Sequence, residues 1–257
     1  MHRDADVATH FTRAAAAYAD YVAPAFAAAH DYVVTYAHER GARRVADVAC
    51  GDGRVAARLA ELGATVVAVD ESEPLLSRAR SLSEDVTWIE ADAHRLPLES
   101  RAFDLVLCVL GLQLFAEPAQ ALAELERLVS PDGELLTVFL LDAAAGEVDA
   151  GRVAAARQWV DALLAERPLA PAGRVVVTSS VTLTDPEALA GVLGGEVGPW
   201  SEARVAPETL AEAAPFMLER AGGAIELALE FEAVHTVPRA GRNGTSNTIP
   251  QPCSFTG

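Results

Sequence analysis

Residues 45–53 constrain the fold of this chain more than any other segment, because an apolar run there ends in a glycine turn. Residues 45–49 (VADVA) predict a buried strand, and residues 50–53 (CGDG) predict a tight turn into a helix. Asp70 follows 19 residues after Gly51, at the end of a second short run rich in β-branched side chains. A strand, a glycine turn, a helix and then an acid are the parts of a site that holds an adenosine-bearing cofactor at the carboxyl edge of a parallel sheet.

Strand-like and helix-like segments alternate along the chain, which is typical of a parallel sheet wrapped by helices. We predict strands over 44–49, 65–69, 86–90, 103–110, 135–141, 175–184 and 225–237, with a turn at residues 131–133 before the fifth. We predict helices over 1–40 with a break at Pro24, from Gly53 to Gly63, from Pro74, from Pro118, and over 152–167, 185–193 and 207–220. The predicted fold class is α/β: a Rossmann-like, doubly wound, mostly parallel seven-stranded sheet with helices on both faces.

Four segments follow from this pattern. They are N-terminal helices (1–40), a cofactor-binding core (41–145), substrate-side helices with the last strands of the same domain (146–237), and a tail (238–257). The tail is polar, lacks periodicity and contains both asparagines of the chain, Asn243 and Asn247. We therefore predict that the tail is disordered.

Composition excludes several classes of function. A net charge of −17 repels a phosphate backbone, so we predict a small-molecule substrate and no nucleic-acid partner. The chain contains no lysine, which excludes a Schiff-base lysine and a phosphate-loop lysine. Its three cysteines, Cys50, Cys108 and Cys253, lack metal-ligand spacing, so we predict neither a metal site nor a disulfide framework. No apolar run is long enough to span a membrane, and no signal peptide is evident, so we predict a cytoplasmic protein without a membrane partner.

Asp47 bears on which cofactor the glycine turn serves. A carboxylate in the strand before the turn would repel a pyrophosphate, whereas it would accommodate an amino-acid ammonium. Motifs follow in order at residues 47–53, 69–70, 91–93, 103–106 and 128–133. In this order and spacing the chain resembles class I S-adenosylmethionine-dependent methyltransferases, particularly the small-molecule group related to the ubiquinone and menaquinone biosynthesis methyltransferases. The resemblance covers residues 11–141.

Three positions depart from that family pattern: Ala49 replaces the first loop glycine, Asp52 stands where a small threonine or serine is frequent, and Asp132 replaces a glycine before the fifth strand. The resemblance implies S-adenosylmethionine as cofactor, S-adenosylhomocysteine as product, and an N-terminal helical lid over the cofactor. The implied cofactor-binding residues are Phe11, Tyr18, Asp47, Ala49, Cys50, Gly51, Gly53, Asp70, Glu71, Asp92, Ala93, Cys108, Val109 and Gln113. Asp70 would accept the ribose hydroxyls, and Asp92 would accept the adenine amine.

The predicted function is methyl transfer to a small, apolar metabolite, with O-methylation ahead of C- or N-methylation. A hydroxyl acceptor benefits from a general base, and the candidates are His10, His30 and Asp142. The alternative is a methyltransferase-like enzyme that binds the same cofactor and catalyses a cyclisation, elimination or rearrangement. A nicotinamide oxidoreductase built on the same first βαβ unit is a third possibility. The sequence leaves the acceptor atom and the oligomeric state open.

Overall fold

The computed structural model describes residues 19–20, 23–145, 147–165, 167–186, 189 and 207–239. Within these ranges seven strands form one sheet: β1 (Arg44–Val48), β2 (Thr65–Asp70), β3 (Val86–Glu90), β4 (Phe103–Val109), β5 (Val129–Ala145), β6 (Leu169–Leu183) and β7 (Ile225–Pro238). The helices of the described residues are α1 (Ala27–Glu39), α2 (Arg54–Glu61), α3 (Glu73–Arg80), α4 (Pro118–Leu128), α5 (Ala150–Leu164) and α6 (Pro207–Arg220). A helical turn at Ala23–Ala25, which contains Pro24, precedes α1, and a 3-10 turn at Leu112–Leu114 follows β4.

The strand order is β3-β2-β1-β4-β5-β7-β6. Strands β1 to β5 pair in parallel, whereas β7 runs antiparallel to both β5 and β6. The predicted mostly parallel, seven-stranded sheet is therefore confirmed. The common dinucleotide-binding sheet places its sixth strand directly beside its fifth. Here an antiparallel strand separates them, which disfavours the nicotinamide alternative.

Helices cover both faces of the sheet, as predicted. Strand β4 is apolar on both faces, and its side chains alternate between two core layers: Leu105 and Leu107 pack on one side, and Val106 and Cys108 on the other. The first layer contains the buried faces of α1, α2 and α6, and the second contains those of α4 and α5. In α4 the fully buried residues recur at helical spacing, at Ala121, Leu122, Leu125 and Leu128.

Two strands differ from their predicted bounds by more than one residue at an end. Strand β5 begins at Val129, which pairs with Phe103, and the predicted turn at residues 131–133 is instead a bulge inside the strand. A Cβ on Gly133 would lie 2.7 Å from the carbonyl oxygen of Phe103, so this bulge requires a glycine. Strand β6 begins at Leu169 and contains Pro171, which is tolerated because β6 is an edge strand.

The N-terminal prediction is tested only in part. Helix α1 lies in the core, with Ala29 and Val33 fully buried against the first layer. The part of the predicted lid that carries His10, Phe11 and Tyr18 lies outside the described residues, as do most of the predicted 185–193 helix and nearly all of the tail. The lid therefore stays a prediction. Among the described helices, none is long and apolar enough to cross a membrane.

Candidate functional site

The carboxyl ends of β1 and β4 lie side by side, where the order of strands along the sheet reverses. In open α/β sheets this is where ligands bind. Ala49 and Leu110, which follow β1 and β4, both have positive φ angles, at 59° and 63°. A Cβ on Gly111 would lie 2.5 Å from the Cβ of Ala49, so the two loops touch. Backbone strain in two adjacent non-glycine residues is a feature of ligand sites.

Backbone hydrogen bonds hold the glycine turn between β1 and α2. The Cys50 N–H donates to the carbonyl of Val69 at 3.1 Å, and the Gly53 N–H donates to the carbonyl of Cys50 at 3.0 Å. Gly53 has a φ of 80°, and a Cβ there would lie 2.5 Å from both Ala79 and the Trp88 ring. The predicted glycine turn is thus present, and Gly53 is required by close packing as well as by its conformation.

Asp70, at the end of β2, ties the ends of β1 and β2 together. Its Oδ2 accepts a hydrogen bond from the Gly51 N–H at 2.8 Å, and its Oδ1 accepts one from the Ser72 N–H at 2.9 Å. Burial raises the pKa of Asp70, against hydrogen bonds from the backbone of Ser72, Gly51 and Glu71, which lower it. A carboxylate has about four acceptor sites on its two oxygens. A carboxylate fixed in this way is suited to accept from two neighbouring hydroxyl groups, as on a ribose.

Asp47 is the buried acid of β1, with 1% of its surface exposed. No hydrogen-bond partner is present for its Oδ2 within the described ranges. Burial, together with the charge of Asp70, raises the pKa of Asp47 to about 7. A buried carboxylate without a partner is costly unless a donor or a cation approaches it. The pair Asp47 and Asp70 therefore fits a ligand that carries both an ammonium and a sugar diol.

Asp52 brings a carboxylate into the loop at a position where the family pattern frequently has a small threonine or serine. The structure shows that its carboxylate is buried and bound by Arg54, whose Nε lies 3.0 and 3.1 Å from its two oxygens. The departure from the family pattern is thus compensated within the chain. Sequence reasoning missed this pair, although the signal was visible as opposite charges on either side of Gly53.

The remaining predicted positions lie around the same edge. Asp92, after β3, accepts from the backbone N–H of His94 at 2.8 Å, and the same oxygen lies 2.6 Å from the His94 ring Nδ1. Burial raises the pKa of Asp92, but the His94 contacts outweigh it and the net pKa is lowered. Ala93 beside it is buried, whereas Glu71 is exposed.

Residues after β4 are held largely by β5. The carbonyl oxygen of the buried Gln113 side chain accepts from the Leu140 N–H at 2.9 Å, and Val109 is half-buried at the strand end. Burial raises the pKa of Cys108 to about 12 and raises that of Cys50 as well. Both cysteines are therefore thiols near neutral pH, which argues against a nucleophilic role.

Comparison with known proteins agrees with this geometry. Residues 46–137 match the model of a methyltransferase domain. This segment, which is less than half of the chain, is similar to a methyltransferase domain. A demethylmenaquinone methyltransferase of Thermus thermophilus is 39% identical over 41% of this chain and 50% of its own length. A malonyl-[acyl-carrier protein] O-methyltransferase of Pseudescherichia vulneris is 33% identical over 64% of this chain and 65% of its own length.

The structural likeness extends beyond the matched segment of the methyltransferase domain. The YcgJ protein of Bacillus subtilis superposes with a TM-score of 0.57, over 82% of this chain and 98% of that protein, at 18% identity. At that identity the likeness shows the fold. The chain spans about half the length, or less, of the demethylmenaquinone methyltransferases that it matches.

Two of the three base candidates, His30 and Asp142, lie within the described residues. His30 is buried on α1, where burial and then the charge of Arg54 lower its pKa to about 4, so it is neutral at physiological pH. Asp142, on β5, accepts from the Arg152 Nε at 2.7 Å and from the Asp149 N–H at 2.7 Å. Burial raises the pKa of Asp142, but these contacts outweigh it and the net pKa is lowered. The geometry makes Asp142 an anchor for the start of α5 and disfavours the predicted role as a base.

Proposed function

We propose that this chain binds S-adenosylmethionine at the carboxyl ends of β1, β2 and β4 and transfers its methyl group to a small-molecule acceptor. The observation that carries the proposal is the Asp70 carboxylate, fixed by the Gly51 and Ser72 N–H groups, together with the buried Asp47, whose Oδ2 has no hydrogen-bond partner in the described part of the chain. Asp70 would accept the ribose hydroxyls, Asp47 would accept from the methionine ammonium, and Asp92 with Ala93 would contact the adenine.

In this proposal the residues of the site act mainly by orienting the bound cofactor, and acid–base chemistry has a smaller part. When bound, the cofactor supplies a methyl group that is already activated by the positive sulfur. The fixed carboxylates set the orientation of the ligand, and orientation alone provides a large part of the acceleration in such a displacement. The pKa of His30 is lowered to about 4, which makes it a weak proton acceptor near pH 7, so its role as a base stays a prediction. Phe11, Tyr18 and His10 lie outside the described residues, and their roles stay predictions.

A hydroxyl-bearing or carboxyl-bearing small molecule is the acceptor class that we favour. One relative is named for demethylmenaquinone and another for O-methylation of a malonyl-[acyl-carrier protein]. A net charge of −17 opposes a nucleic-acid acceptor. The free thiols Cys50 and Cys108 also suit a reducing compartment, so we place the protein in the cytoplasm.

Transfer of labelled methyl groups tests this function. The protein is incubated with methyl-tritiated S-adenosylmethionine and either a 1,4-naphthalenediol or a malonyl thioester, and the label in the acceptor is counted. We expect label in one of these acceptors, and a drop of about tenfold or more in kcat/KM for Asp47→Asn, since one charged contact is lost. Asp104→Asn is the matched control, because Asp104 also accepts from backbone N–H groups but lies at the amino ends of the strands. Cofactor binding without label in either acceptor would contradict the proposed acceptor class.

A further inference from the structure

Arg54, the first residue of α2, links the glycine turn to the start of the described chain. Its guanidinium binds both oxygens of the Asp52 carboxylate. The Nη2 of the same group donates to the backbone carbonyl of Ala19 at 3.0 Å. One side chain therefore contacts both the turn and a residue 35 positions earlier.

A second arginine holds the next residue. Arg78, on α3, forms an ion pair with the carboxylate of Asp20. Helices α2 and α3 follow β1 and β2, the two strands whose ends form the site. Residues 19 and 20 are thus held from both helices that leave the candidate site.

The ion pair between Asp52 and Arg54 fixes the orientation of the Arg54 guanidinium. Asp52 is 7% exposed, and a guanidinium that grips a carboxylate through two nitrogens fixes its orientation as well as its distance. Asp52 lies between Gly51 and Gly53, which both have positive φ angles. The same backbone conformation that shapes the cofactor site therefore aims the carboxylate that holds Arg54 in place.

We propose that Asp52 and Arg54 are positioning residues that couple cofactor binding to the docking of residues 19–20 on the glycine turn. The inference rests on the proposed function, because it takes the turn to be the cofactor site. A turn in its ligand-binding conformation presents Asp52, which orients Arg54 toward the carbonyl of Ala19. By linkage, the cofactor strengthens this docking by the same factor by which docking strengthens cofactor binding.

Calorimetry and hydrogen exchange test the coupling in the full chain. S-adenosylhomocysteine is titrated into the wild-type protein, Arg54→Gln and Arg58→Gln. Arg58 is the matched control, since it lies on the same helix and pairs with the exposed Asp31. We expect Arg54→Gln to weaken binding about tenfold, within the usual range of such couplings, and Arg58→Gln to change it less than twofold. In the wild-type protein, S-adenosylhomocysteine should also slow amide exchange at residues 19–20 and in the helical turn that follows.

The possible outcomes separate the two proposals. If the wild-type protein gives no heat with S-adenosylhomocysteine, the proposed function fails. If the wild-type protein binds but Arg54→Gln and Arg58→Gln bind equally well, only the coupling is overturned. The amide-exchange measurement uses only the wild-type protein, so it does not depend on whether a variant folds. If S-adenosylhomocysteine leaves amide exchange at residues 19–20 unchanged, the coupling is overturned.

Discussion

Gly53 and Gly63 flank helix α2, and both have positive φ angles, at 80° and 92°. Their surroundings differ, because a Cβ on Gly53 would meet Ala79 and Trp88 at 2.5 Å, whereas a Cβ on Gly63 would meet nothing within 4 Å. Gly63→Ala should therefore cost about 1 kcal/mol of stability from backbone strain alone. Gly53→Ala should cost about 1–3 kcal/mol more, because it also overpacks a buried contact. Urea unfolding of the two variants measures the difference, and equal losses would contradict the packing argument.

Several site residues were predictable one by one. The spacing from Gly51 to Asp70 assigned both residues to one site, and the structure joins them by a hydrogen bond of 2.8 Å that the sequence did not predict. The neutralisation of Asp52 was not anticipated, because an ion pair two residues apart depends on the backbone path through Gly53. Asp142 is the opposite case. Its place after the fifth strand suggested a base, but only the structure shows Arg152 on its carboxylate.

Helix α5 begins with two linked carboxylates. Asp149 caps the helix by accepting from the Arg152 N–H at 2.8 Å, and the Arg152 side chain binds Asp142 on β5. This arrangement joins the start of α5 to the carboxyl end of β5. We expect Asp142→Asn to lower the free energy of unfolding by about 1–3 kcal/mol, because it removes charged hydrogen bonds to a buried group.

Asp161→Asn is the control on the same helix, since Asp161 pairs with Arg174 at the exposed surface and should change stability by no more than about 0.5 kcal/mol. Denaturant unfolding reports stability, and labelled methyl transfer reports activity. A loss of about 100-fold or more in kcat for Asp142→Asn with unchanged stability would contradict the anchoring role and restore the base hypothesis.

The bounds of helices and strands were predictable where the apolar periodicity is strong. They were less predictable where pairing with a neighbouring strand sets where a strand begins or ends. Strands β2 and β3 and helix α6 lie where apolar patterning placed them. Strand β5 extends further because a glycine permits a bulge, and Pro131 and Gly133 look like a turn in sequence. Whether such residues form a turn or a bulge is decided by pairing with β4, which is not a local property.

A buried polar cluster joins α1, β5 and β7 away from the cofactor edge. His235 is fully buried, its Nε2 lies 2.8 Å from the Tyr32 hydroxyl, and Tyr36 donates to Glu134 at 2.7 Å. Arg40 pairs with the same Glu134. Burial lowers the pKa of His235 to about 4, with Glu134 raising it and Arg40 lowering it. We therefore expect the stability of the folded protein to depend on a neutral His235.

The pH dependence of stability follows from that shift. The unfolded chain binds a proton at His235 below about pH 6.5, whereas the folded chain resists protonation until about pH 4. Above pH 6.5 the protonation of His235 costs the folded state no stability. As the pH falls from 6.5 to 4, the free energy of unfolding decreases, because only the unfolded chain gains the proton. His235→Gln should flatten the stability profile in that window by up to about 1.4 kcal/mol per pH unit.

His38→Gln, at an exposed position of α1, is the control, and it should leave the profile as it is in the wild-type protein. Urea unfolding at pH 4.5, 5.5, 6.5 and 7.5 measures the profiles. Parallel profiles for His235→Gln and the wild-type protein would show that protonation of this histidine does not govern acid stability.

Titration calorimetry with S-adenosylhomocysteine, on the wild-type protein, Asp70→Asn and Asp104→Asn, measures whether the Asp70 carboxylate holds the cofactor. Both acids accept from backbone N–H groups, Asp70 at the carboxyl ends of the strands and Asp104 at their amino ends. We expect the wild-type protein and Asp104→Asn to bind, and the Kd of Asp70→Asn to be about tenfold or more higher, because a charge-assisted contact to the ribose is lost. No binding by the wild-type protein, or equal affinity in all three proteins, would show that Asp70 does not hold this ligand.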